Sequence, residues 1–349
     1  MGPIAAALAR AAESGLIPPG ESVLLAVSGG ADSTALLYGA AEAAARTGWA
    51  VAVGHVHHGW RPREADRDLA FVREHARRLG FPFAFRRHDA REAARALRLS
   101  PEAGARHVRY AALLEMAREA GAPLVATAHQ RDDAVESYLL ARDRRGGLAR
   151  LAGPRERRSD GVVRPFLSVT RAEILEFLRE RGLAFRRDSS NGNLALDRNR
   201  IRRALSVTAD ADRRAAGAEL DRLTEARERL EREFSELVEP HLGFGPDSSS
   251  ADAEILGGCP EELRRIALHR LASPFARPGR PPMTGREREQ IVGLLASGAD
   301  FRFEAGRAIR FERRGPTLTV RCRPSPAGRR EYDPASRTST MRASAEIQL

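Results

Sequence analysis

The sequence predicts an α/β protein that begins with a doubly wound parallel sheet and continues into a helical second domain and a small α/β C-terminal appendage. Short apolar runs alternate with helical segments through residues 20–205, as in a parallel sheet covered on both faces. A long stretch rich in Ala, Glu, Arg and Leu follows them. The chain has 349 residues, which is more than one hydrophobic core usually organises, so we expect several domains.

The elements of the first part follow from its apolar runs and turn residues. Apolar, β-branched runs predict strands, and the segments between them have helical composition. The predicted strands are 22–28, 50–56, 81–88 and 123–129; the predicted helices are 31–46, 63–79, 102–120 and Thr170–Arg181, with a loop-rich segment at 142–161. In sheets of this type, ligands bind at the carboxyl ends of the strands.

The second part is predicted to be mainly helical. Large apolar side chains recur there at heptad-like spacing and predict a long amphipathic helix over 209–239. A flexible connection is expected at 243–253, helices at 259–272 and 285–297, and short strands around a hairpin turn at 313–316. The predicted domains are therefore 1–205, 206–280 and 281–323, followed by a disordered tail at 324–349.

The charge balance favours a polyanionic partner. Lys and Arg together number 58 against 47 acidic residues, a formal net charge of +11, and every one of the 58 is Arg. Guanidinium groups bind phosphates in bidentate fashion, so nucleic acid is the expected partner, with a solubilising basic surface as the alternative. Cys259 and Cys322 lie far apart and predict neither a disulfide framework nor a zinc site. No apolar stretch is long enough to cross a bilayer, so we expect a soluble, cytoplasmic protein.

The string SGGADS, which begins at Ser28, directly follows the first predicted strand and opens the first predicted helix. Backbone amides and the positive end of the helix dipole favour an anion at such a position. Gly29 and Gly30 permit close approach of the backbone, while Ser28 and Ser33 supply hydroxyl groups. Asp32 can hold a magnesium ion or fix the loop. The string therefore predicts a phosphate site, with an ordinary tight turn as the alternative.

The same string resembles the loop of the pyrophosphatase-loop (PP-loop), or N-type ATP pyrophosphatase, superfamily. The resemblance implies that ATP is cleaved to AMP and pyrophosphate, that a carbonyl oxygen of the substrate is adenylated, and that a nucleophile then displaces AMP. It assigns ATP binding to Ser28, Gly29, Gly30, Ala31, Asp32, Ser33 and His129. The loop is not a Walker loop, because the terminal Gly-Lys-Ser/Thr is missing.

Six further strings are HVHHGWR at 55–61, EAGARHVRY at 102–110, TAHQRDDAVES at 127–137, RPFL at 164–167, DSSN at 188–191 and RNRIR at 198–202. In this order they resemble the motifs of tRNA(Ile)-lysidine synthetases, which attach lysine to the wobble cytidine of the tRNA(Ile) with a CAU anticodon. The chain departs from the usual family residues at Gln130, Ala134, Ser137, Ser189, Arg145, Arg150 and Pro154. These departures bear on local loop conformation more than on the reaction.

The string TAHQRDDAVES contains Asp132, Asp133 and Glu136. Glu136 lies four residues after Asp132 and three after Asp133, separations that place carboxylates on one face of a helix. A solvated acidic helix start is the alternative interpretation. With the resemblance, Asp133 and Glu136 are assigned to the substrate lysine or its deprotonation, and Asp132 stays a magnesium or structural candidate. Asp32 and Asp132 are thus the predicted metal residues, and Asp32 is also counted among the catalytic ones.

Two groups of basic residues complete the predicted site. Arg106 and Arg109 recur with Glu102 at helical spacing, and the resemblance implies that this face is a wall of the active site. The two arginines can hold the α-phosphate or the wobble cytidine, because charge grows on the phosphoryl oxygens during adenylation. Ordinary surface pairing is the alternative for this helix. The predicted tRNA-binding residues are Arg198, Asn199, Arg200 and Arg202, for which a plain basic surface is the alternative.

The resemblance implies a carbon–nitrogen ligase that uses ATP, Mg²⁺, L-lysine and tRNA(Ile). Three rival functions are a tRNA-thiolating enzyme of the same superfamily, a small-molecule amidating ligase and a non-catalytic RNA-binding relative. The basic helical domain and the lack of a glutaminase portion argue against the amidating ligase. The two cysteines are unsuited to sulfur delivery, and the intact SGGADS and DDAVES strings disfavour a decayed site. The clustered His55, His57 and His58 lack the partners of a zinc site. The sequence leaves the oligomeric state open, a homodimer included.

Overall fold

The computed structural model describes residues 1–57, 62–88, 92, 94–95, 100–144, 147–186, 210–276, 281–306 and 309–322. These residues divide into two compact units, with the boundary between Asp221 and Arg222. The predicted tail at 324–349 and the strings DSSN and RNRIR lie outside the described residues. No helix within the described ranges is long and apolar enough to span a membrane.

The first unit is a parallel sheet with helices on both faces. Its strands are β1 (Ser22–Ala26), β2 (Ala50–His57), β3 (Phe83–Arg87), β4 (Leu124–Thr127) and β5 (Val162–Val163), in the order β3-β2-β1-β4-β5. Its helices are α1 (Pro3–Glu13), α2 (Ala31–Thr47), α3 (Pro62–Arg78), α4 (Pro101–Glu119), α5 (Arg131–Asp143), α6 (Leu148–Leu151) and α7 (Arg171–Glu180). The predicted parallel α/β fold is confirmed.

Strand β1 is central because its side chains are apolar on both faces. Val23 and Leu25 belong to the larger apolar core, whereas Leu24 between them belongs to a second core. Helices α1, α2 and α7 contribute to the larger core and α4 to the second. Successive strand residues point to opposite faces, so a continuous apolar run is the pattern of a strand buried on both sides.

The chain order of the strands fixes where a ligand can bind. From β1 the chain builds outward through β2 and β3, then returns to add β4 on the other side of β1. Strands β1 and β4 pair in parallel, with Val23 opposite Leu124 and Ala26 opposite Thr127. The helices that follow β1 and β4 therefore leave on opposite sides and open a crevice at the carboxyl ends of these strands.

The second unit combines helices with a five-stranded antiparallel sheet. Its helices are most of α8 (Asp210–Leu237), then α9 (Ala253–Gly258), α10 (Glu261–Ala272) and α11 (Gly285–Ala296). Its strands are β6 (Leu242–Phe244), β7 (Ser248–Asp252), β8 (Phe301–Ala305), β9 (Ile309–Arg314) and β10 (Thr317–Cys322), in the order β6-β7-β10-β9-β8. The long helix, the later helices and the hairpin follow the sequence prediction.

The prediction of a flexible connection at 243–253 is wrong. Strand β7 lies in this segment and pairs with β10, with Ala251 opposite Leu318. Ala251 and Leu318 both lie in an apolar core that runs from Phe234 to Val320. The helical segment and the small appendage therefore share one core, and that core extends across the boundary expected near residue 280.

Candidate functional site

The loop after β1 is closed by its own serine hydroxyls. The Ser33 Oγ donates to the Gly30 carbonyl oxygen at 3.0 Å and lies 3.1 Å from the Ser28 Oγ. The backbone N–H of Ser28 donates to the Ser33 Oγ at 3.2 Å. Gly30 is the residue before α2, and no side chain caps this helix start. The N–H groups of the first turn have no partner within the helix itself, so they can serve an anion bound at the loop.

The reason for a glycine at position 29 is conformational rather than steric, because a Cβ there would make only ordinary van der Waals contacts. Its φ is +91°, a backbone conformation that residues with a Cβ rarely adopt. A Cβ at this position would lie 3.4 Å from the Arg186 side chain and 3.5 Å from that of Phe71. The Gly29 carbonyl oxygen also accepts a hydrogen bond from the backbone N–H of Arg186 at 2.9 Å. The loop is thus held from outside by the segment that follows α7.

A cavity of about 270 Å³ opens at the carboxyl ends of β1, β2 and β4. Its wall includes seven of the predicted site residues: Ser28, Gly30, Asp32, Ser33, Arg109, His129 and Asp133. Sequence reasoning did not single out the remaining lining residues, which are Ala26, Val27, Gly54, Val56, Tyr110, Leu113, Thr127 and Ala128. Polar groups of the phosphate loop thus meet an apolar wall, the arrangement of a site for a nucleotide.

The lining residues that were missed carry weak sequence signals. Gly54 faces the cavity from β2, and a Cβ there would lie 2.8 Å from the Leu24 side chain. Val56 and Thr127 stand near the ends of their strands, so the rule that ligands bind at strand carboxyl ends would have found them. Tyr110 is the last residue of the string EAGARHVRY, and it follows Arg106 by one helical turn.

The three carboxylates of α5 have different surroundings. Asp133 lines the cavity, and its Oδ2 accepts from the backbone N–H of Gln130 at 3.2 Å in a capping box. Glu136 is 3% exposed and does not line the cavity. Asp132 lies outside the cavity as well, and its Oδ2 accepts from the backbone N–H of Arg171 at 2.8 Å. Asp133 is therefore the carboxylate of this helix that a ligand in the cavity can reach.

Arg171, the first residue of α7, joins two of the predicted metal residues. Its Nη1 pairs with the Asp32 carboxylate, while its backbone N–H donates to Asp132. No local pattern predicts this contact, because Arg171 lies 139 residues from Asp32 in the chain. The described residues contain no group of three or more His, Cys, Asp or Glu side chains that could hold a metal ion.

The residues in this part of the site suit Mg²⁺ only together with the phosphates of a bound nucleotide. Mg²⁺ in phosphoryl-transfer sites is held by one or two carboxylates together with phosphate oxygens and water. Asp32 lines the cavity beside the phosphate loop, so it can act as such a carboxylate. Asp132 is turned to the start of α7, so it fits a structural role better than a metal-binding role.

Helix α4 presents its arginines to an aromatic ring. The Cζ atoms of Arg106 and Arg109 lie 5.0 and 5.5 Å from the centroid of the Tyr110 ring. Arg158, from the segment before β5, lies 4.5 Å from the same centroid. Arg109 and Tyr110 line the cavity, whereas Arg106 does not. The structure therefore brings Arg109 to the predicted site directly, while Arg106 contacts the ring of Tyr110, which lines the same cavity.

The histidines lie at strand ends, as the sequence indicates. His129 lines the cavity, and its Nδ1 lies 2.9 Å from the Thr127 Oγ1. His55 is buried, with its Nδ1 2.8 Å from the Val27 carbonyl oxygen, and the Nε2 of the buried His57 lies 3.4 Å from Asp66 Oδ1. His129 is therefore placed to shape the cavity, and His55 to support the strand beneath the phosphate loop.

Several predicted positions lie where the structure gives no description. His58 and the four predicted tRNA-binding residues, Arg198, Asn199, Arg200 and Arg202, are outside the described residues. The side chain of Glu102 is likewise not described. Their assignments stay predictions.

Comparisons with known proteins agree with the geometry of the site. A family model described as a PP-loop domain matches residues 4–208. The chain is 42% identical over 259 residues to a tRNA(Ile)-lysidine synthase of Thermus thermophilus, a match that covers 73% of this chain and 49% of the relative. The chain thus spans about half the length of that relative.

The match covers a larger share of the length of two other proteins named tRNA(Ile)-lysidine synthase. A tRNA(Ile)-lysidine synthase of Chlorobaculum tepidum is 36% identical over 66% of this chain and 70% of its own length. One from Bradyrhizobium diazoefficiens is 33% identical over 87% of this chain and 83% of its own length. Among solved structures, a U34-tRNA thiolase from Methanococcus maripaludis aligns with a TM-score of 0.51 at 15% identity, covering 64% of this chain and 78% of that chain. At that identity the likeness concerns the fold alone.

Proposed function

We infer the activity of this chain from the premise that it belongs to the tRNA(Ile)-lysidine synthase family of PP-loop proteins. We propose that it ligates L-lysine to C2 of the wobble cytidine in the CAU-anticodon tRNA(Ile), with release of AMP and pyrophosphate. The observation that supports this proposal most is the convergence of seven predicted residues from three separate strings on one cavity.

ATP is the substrate expected in that cavity. The phosphate loop offers the amides at the start of α2 and the hydroxyl groups of Ser28 and Ser33 to the phosphate chain. The apolar wall from Ala26, Val56 and Leu113 suits an adenine ring. In the first step, the C2 carbonyl oxygen of cytidine attacks the α-phosphorus, and the bond to the β-phosphate breaks as pyrophosphate leaves. Magnesium, when bound with ATP beside Asp32, neutralises phosphate charge.

The second step requires a neutral amine. The ε-amine of lysine attacks C2, the bond from C2 to the adenylated oxygen breaks, and AMP leaves. Asp133 reaches the cavity and is the carboxylate placed to bind the ammonium and accept its proton. Glu136 lies one helical turn after Asp133 and is buried. We assign it to the same polar end of the lysine site, on the side of the protein interior rather than of the cavity wall. Holding both substrates beside the cavity removes much of the entropic cost of the reaction.

The tRNA is expected to bind through arginine. The formal net charge is +11, and all 58 residues counted as Lys or Arg are arginines. Guanidinium groups suit contacts to RNA phosphates. We keep Arg198, Asn199, Arg200 and Arg202 as the proposed contacts near the anticodon, and the second unit as a proposed grip on the tRNA body.

A sulfur-transfer reaction is disfavoured by the chemistry of the cysteines. Cys259 donates through its Sγ to the Leu256 carbonyl oxygen at 3.3 Å, and burial raises the pKa of its thiol. A raised pKa leaves less thiolate, the form that would carry sulfur. Neither Cys259 nor Cys322 lines the cavity.

Pyrophosphate release tests the first step of the proposal. Wild-type protein incubated with ATP and a CAU-anticodon tRNA(Ile) transcript should release pyrophosphate and AMP, and Ser33→Ala should abolish the release because it opens the phosphate loop. Ser297→Ala is a matched control, since its hydroxyl caps the end of α11 through the Leu294 carbonyl oxygen. Equal release by wild type and Ser33→Ala would contradict the assignment of the loop.

A further inference from the structure

Tyr110 on the cavity wall is surrounded by guanidinium groups. Its side chain is 6% exposed and packs in the apolar core of α4 with Leu24 and Met116. Arg106, Arg109 and Arg158 lie with their Cζ atoms 4.5 to 5.5 Å from the ring centroid. Cations at this distance are attracted to the negative face of an aromatic ring. The ring thus contacts two guanidinium groups of its own helix and one of the segment before β5.

The hydroxyl end of Tyr110 shares this positive environment. Arg164 is 3% exposed, and its Nη1 donates to the Arg155 carbonyl oxygen at 2.5 Å. Within the described residues, neither the Tyr110 hydroxyl nor the Arg164 Nε has a hydrogen-bond partner of good geometry. Burial by itself would raise the pKa of Tyr110, but the charges of Arg106, Arg164 and Arg109 outweigh it and the pKa is lowered.

The contacts with the ring affect where the two guanidinium groups of α4 lie, because like charges repel and arginine side chains have many rotamers. Arg106 and Arg109 are three residues apart on α4, so their guanidinium groups are neighbours on the helix surface. Both groups lie against the same ring, which limits the positions they can take. Of this pair only Arg109 lines the cavity, so its contact with the ring lies at the wall of the proposed site.

We propose that Tyr110 is a positioning residue whose ring holds the arginines of α4, above all Arg109, ready for the charge that develops on the transferred phosphoryl group. This inference rests on the proposed function. Charge that is fixed in place before the reaction stabilises a transition state without the cost of reorganisation. The hydroxyl group of Tyr110 has no part in this role, so Tyr110→Phe and a non-aromatic replacement must behave differently.

The first test compares Tyr110→Phe with Tyr110→Leu. Phenylalanine keeps the ring, so kcat/KM for pyrophosphate release should stay within about threefold of wild type. Leucine removes the ring, and kcat/KM should fall by roughly tenfold or more, as expected from the loss of the cation–π contacts to Arg106 and Arg109 of α4. Met116→Leu is the packing control, because Met116 belongs to the same apolar core as Tyr110. Equal losses in Tyr110→Phe and Tyr110→Leu would overturn the role of the ring.

A double-mutant cycle separates positioning from a general loss of structure. Arg109→Gln should lower kcat/KM strongly in the wild-type background but only slightly in Tyr110→Leu, because the guanidinium group is already misplaced there. In the Met116→Leu background it should cost the same factor as in wild type. If Arg109→Gln costs the same factor in the Tyr110→Leu background as in wild type, the proposal is wrong. Should Tyr110→Leu not fold in a thermal melt, Tyr110→Met replaces it, since methionine fills irregular space.

The cycle is also measured by nucleotide affinity, which needs no tRNA and no turnover. The probe is a fluorescent trinitrophenyl derivative of ATP, titrated into each full-length variant. One outcome is that the effects of the Tyr110 and Arg109 substitutions on probe affinity are non-additive, while the wild-type protein does not adenylate tRNA. This outcome would refute the proposed function and leave the inference about Tyr110 standing. Adenylation by wild type without coupling in either readout would refute the inference and leave the proposed function standing.

Discussion

Replacing Asp132 separates a structural role of this carboxylate from a metal-binding one. Its Oδ2 accepts the backbone N–H of Arg171 at 2.8 Å, where α7 begins. This amide belongs to the first turn of the helix, whose N–H groups have no partner within the helix itself. We therefore expect that Asp132→Ala leaves one amide without its acceptor and loosens the attachment of α7 to α5.

The expected loss of stability follows from the type of hydrogen bond that Asp132→Ala removes. Loss of a side-chain acceptor at a helix start costs about 0.5–2 kcal/mol, so about 1.5 kcal/mol is expected for a charged, partly buried acceptor. For a unit of this size, that loss lowers the melting temperature by about 3–6 °C. Asp132→Asn keeps an acceptor oxygen and should lose less than half as much. Asp143→Ala at the exposed end of the same helix should leave the melting temperature unchanged.

The assay combines thermal denaturation with a magnesium titration of pyrophosphate release. On the structural account, Asp132→Asn melts and reacts nearly as wild type, and added magnesium does not change the ratio between variant and wild type. A metal ligand would behave in the opposite way, because the amide cannot replace the charge that Mg²⁺ prefers. Strong loss of release in both Asp132 variants, restored by raised magnesium, would refute the structural reasoning.

Three further predictions address the phosphate loop, the lysine site and the RNA contact. Asp32→Ala should lose pyrophosphate release while keeping tRNA affinity, which filter binding measures; loss of both would mean that the loop also binds RNA. Asp133→Asn and Glu136→Gln should still form adenylated tRNA but transfer lysine slowly, with a raised lysine requirement in single-turnover measurements. A parallel fall of both steps with rescue by magnesium would count against the lysine assignment. The tRNA affinity should fall steeply as salt rises, and a flat salt dependence would argue against Arg–phosphate contacts.

The parallel sheet could be predicted because its central strands are buried on both faces. Such strands read as continuous apolar runs, as in 22–28, and that signal depends on local sequence alone. Strand β5 has only two residues, Val162 and Val163, so it was too short to give such a signal. Strand β7, Ser248–Asp252, has the composition of a loop, and its strand conformation depends on pairing with β10. Tertiary pairing overrides local propensity in such segments.

The candidate site was predictable where function fixes a local string. The loop from Ser28 to Ser33 and the carboxylate Asp133 were found in this way, and both line the cavity. Arg171 was missed because its contacts join distant parts of the chain, and nothing in its neighbours marks it. Tyr110 lay inside a quoted string, but its value depends on Arg158, which approaches from another element.

Transfer of labelled lysine to tRNA is the decisive assay for the proposed ligation. The full chain is incubated with ATP, labelled L-lysine and a tRNA(Ile) transcript with a CAU anticodon, and the digested RNA is separated into nucleosides. Our account predicts one labelled nucleoside, which requires ATP and disappears when the wobble cytidine is replaced by uridine. Formation of AMP and pyrophosphate with no label in the RNA, or labelling that ignores the wobble base, would contradict it.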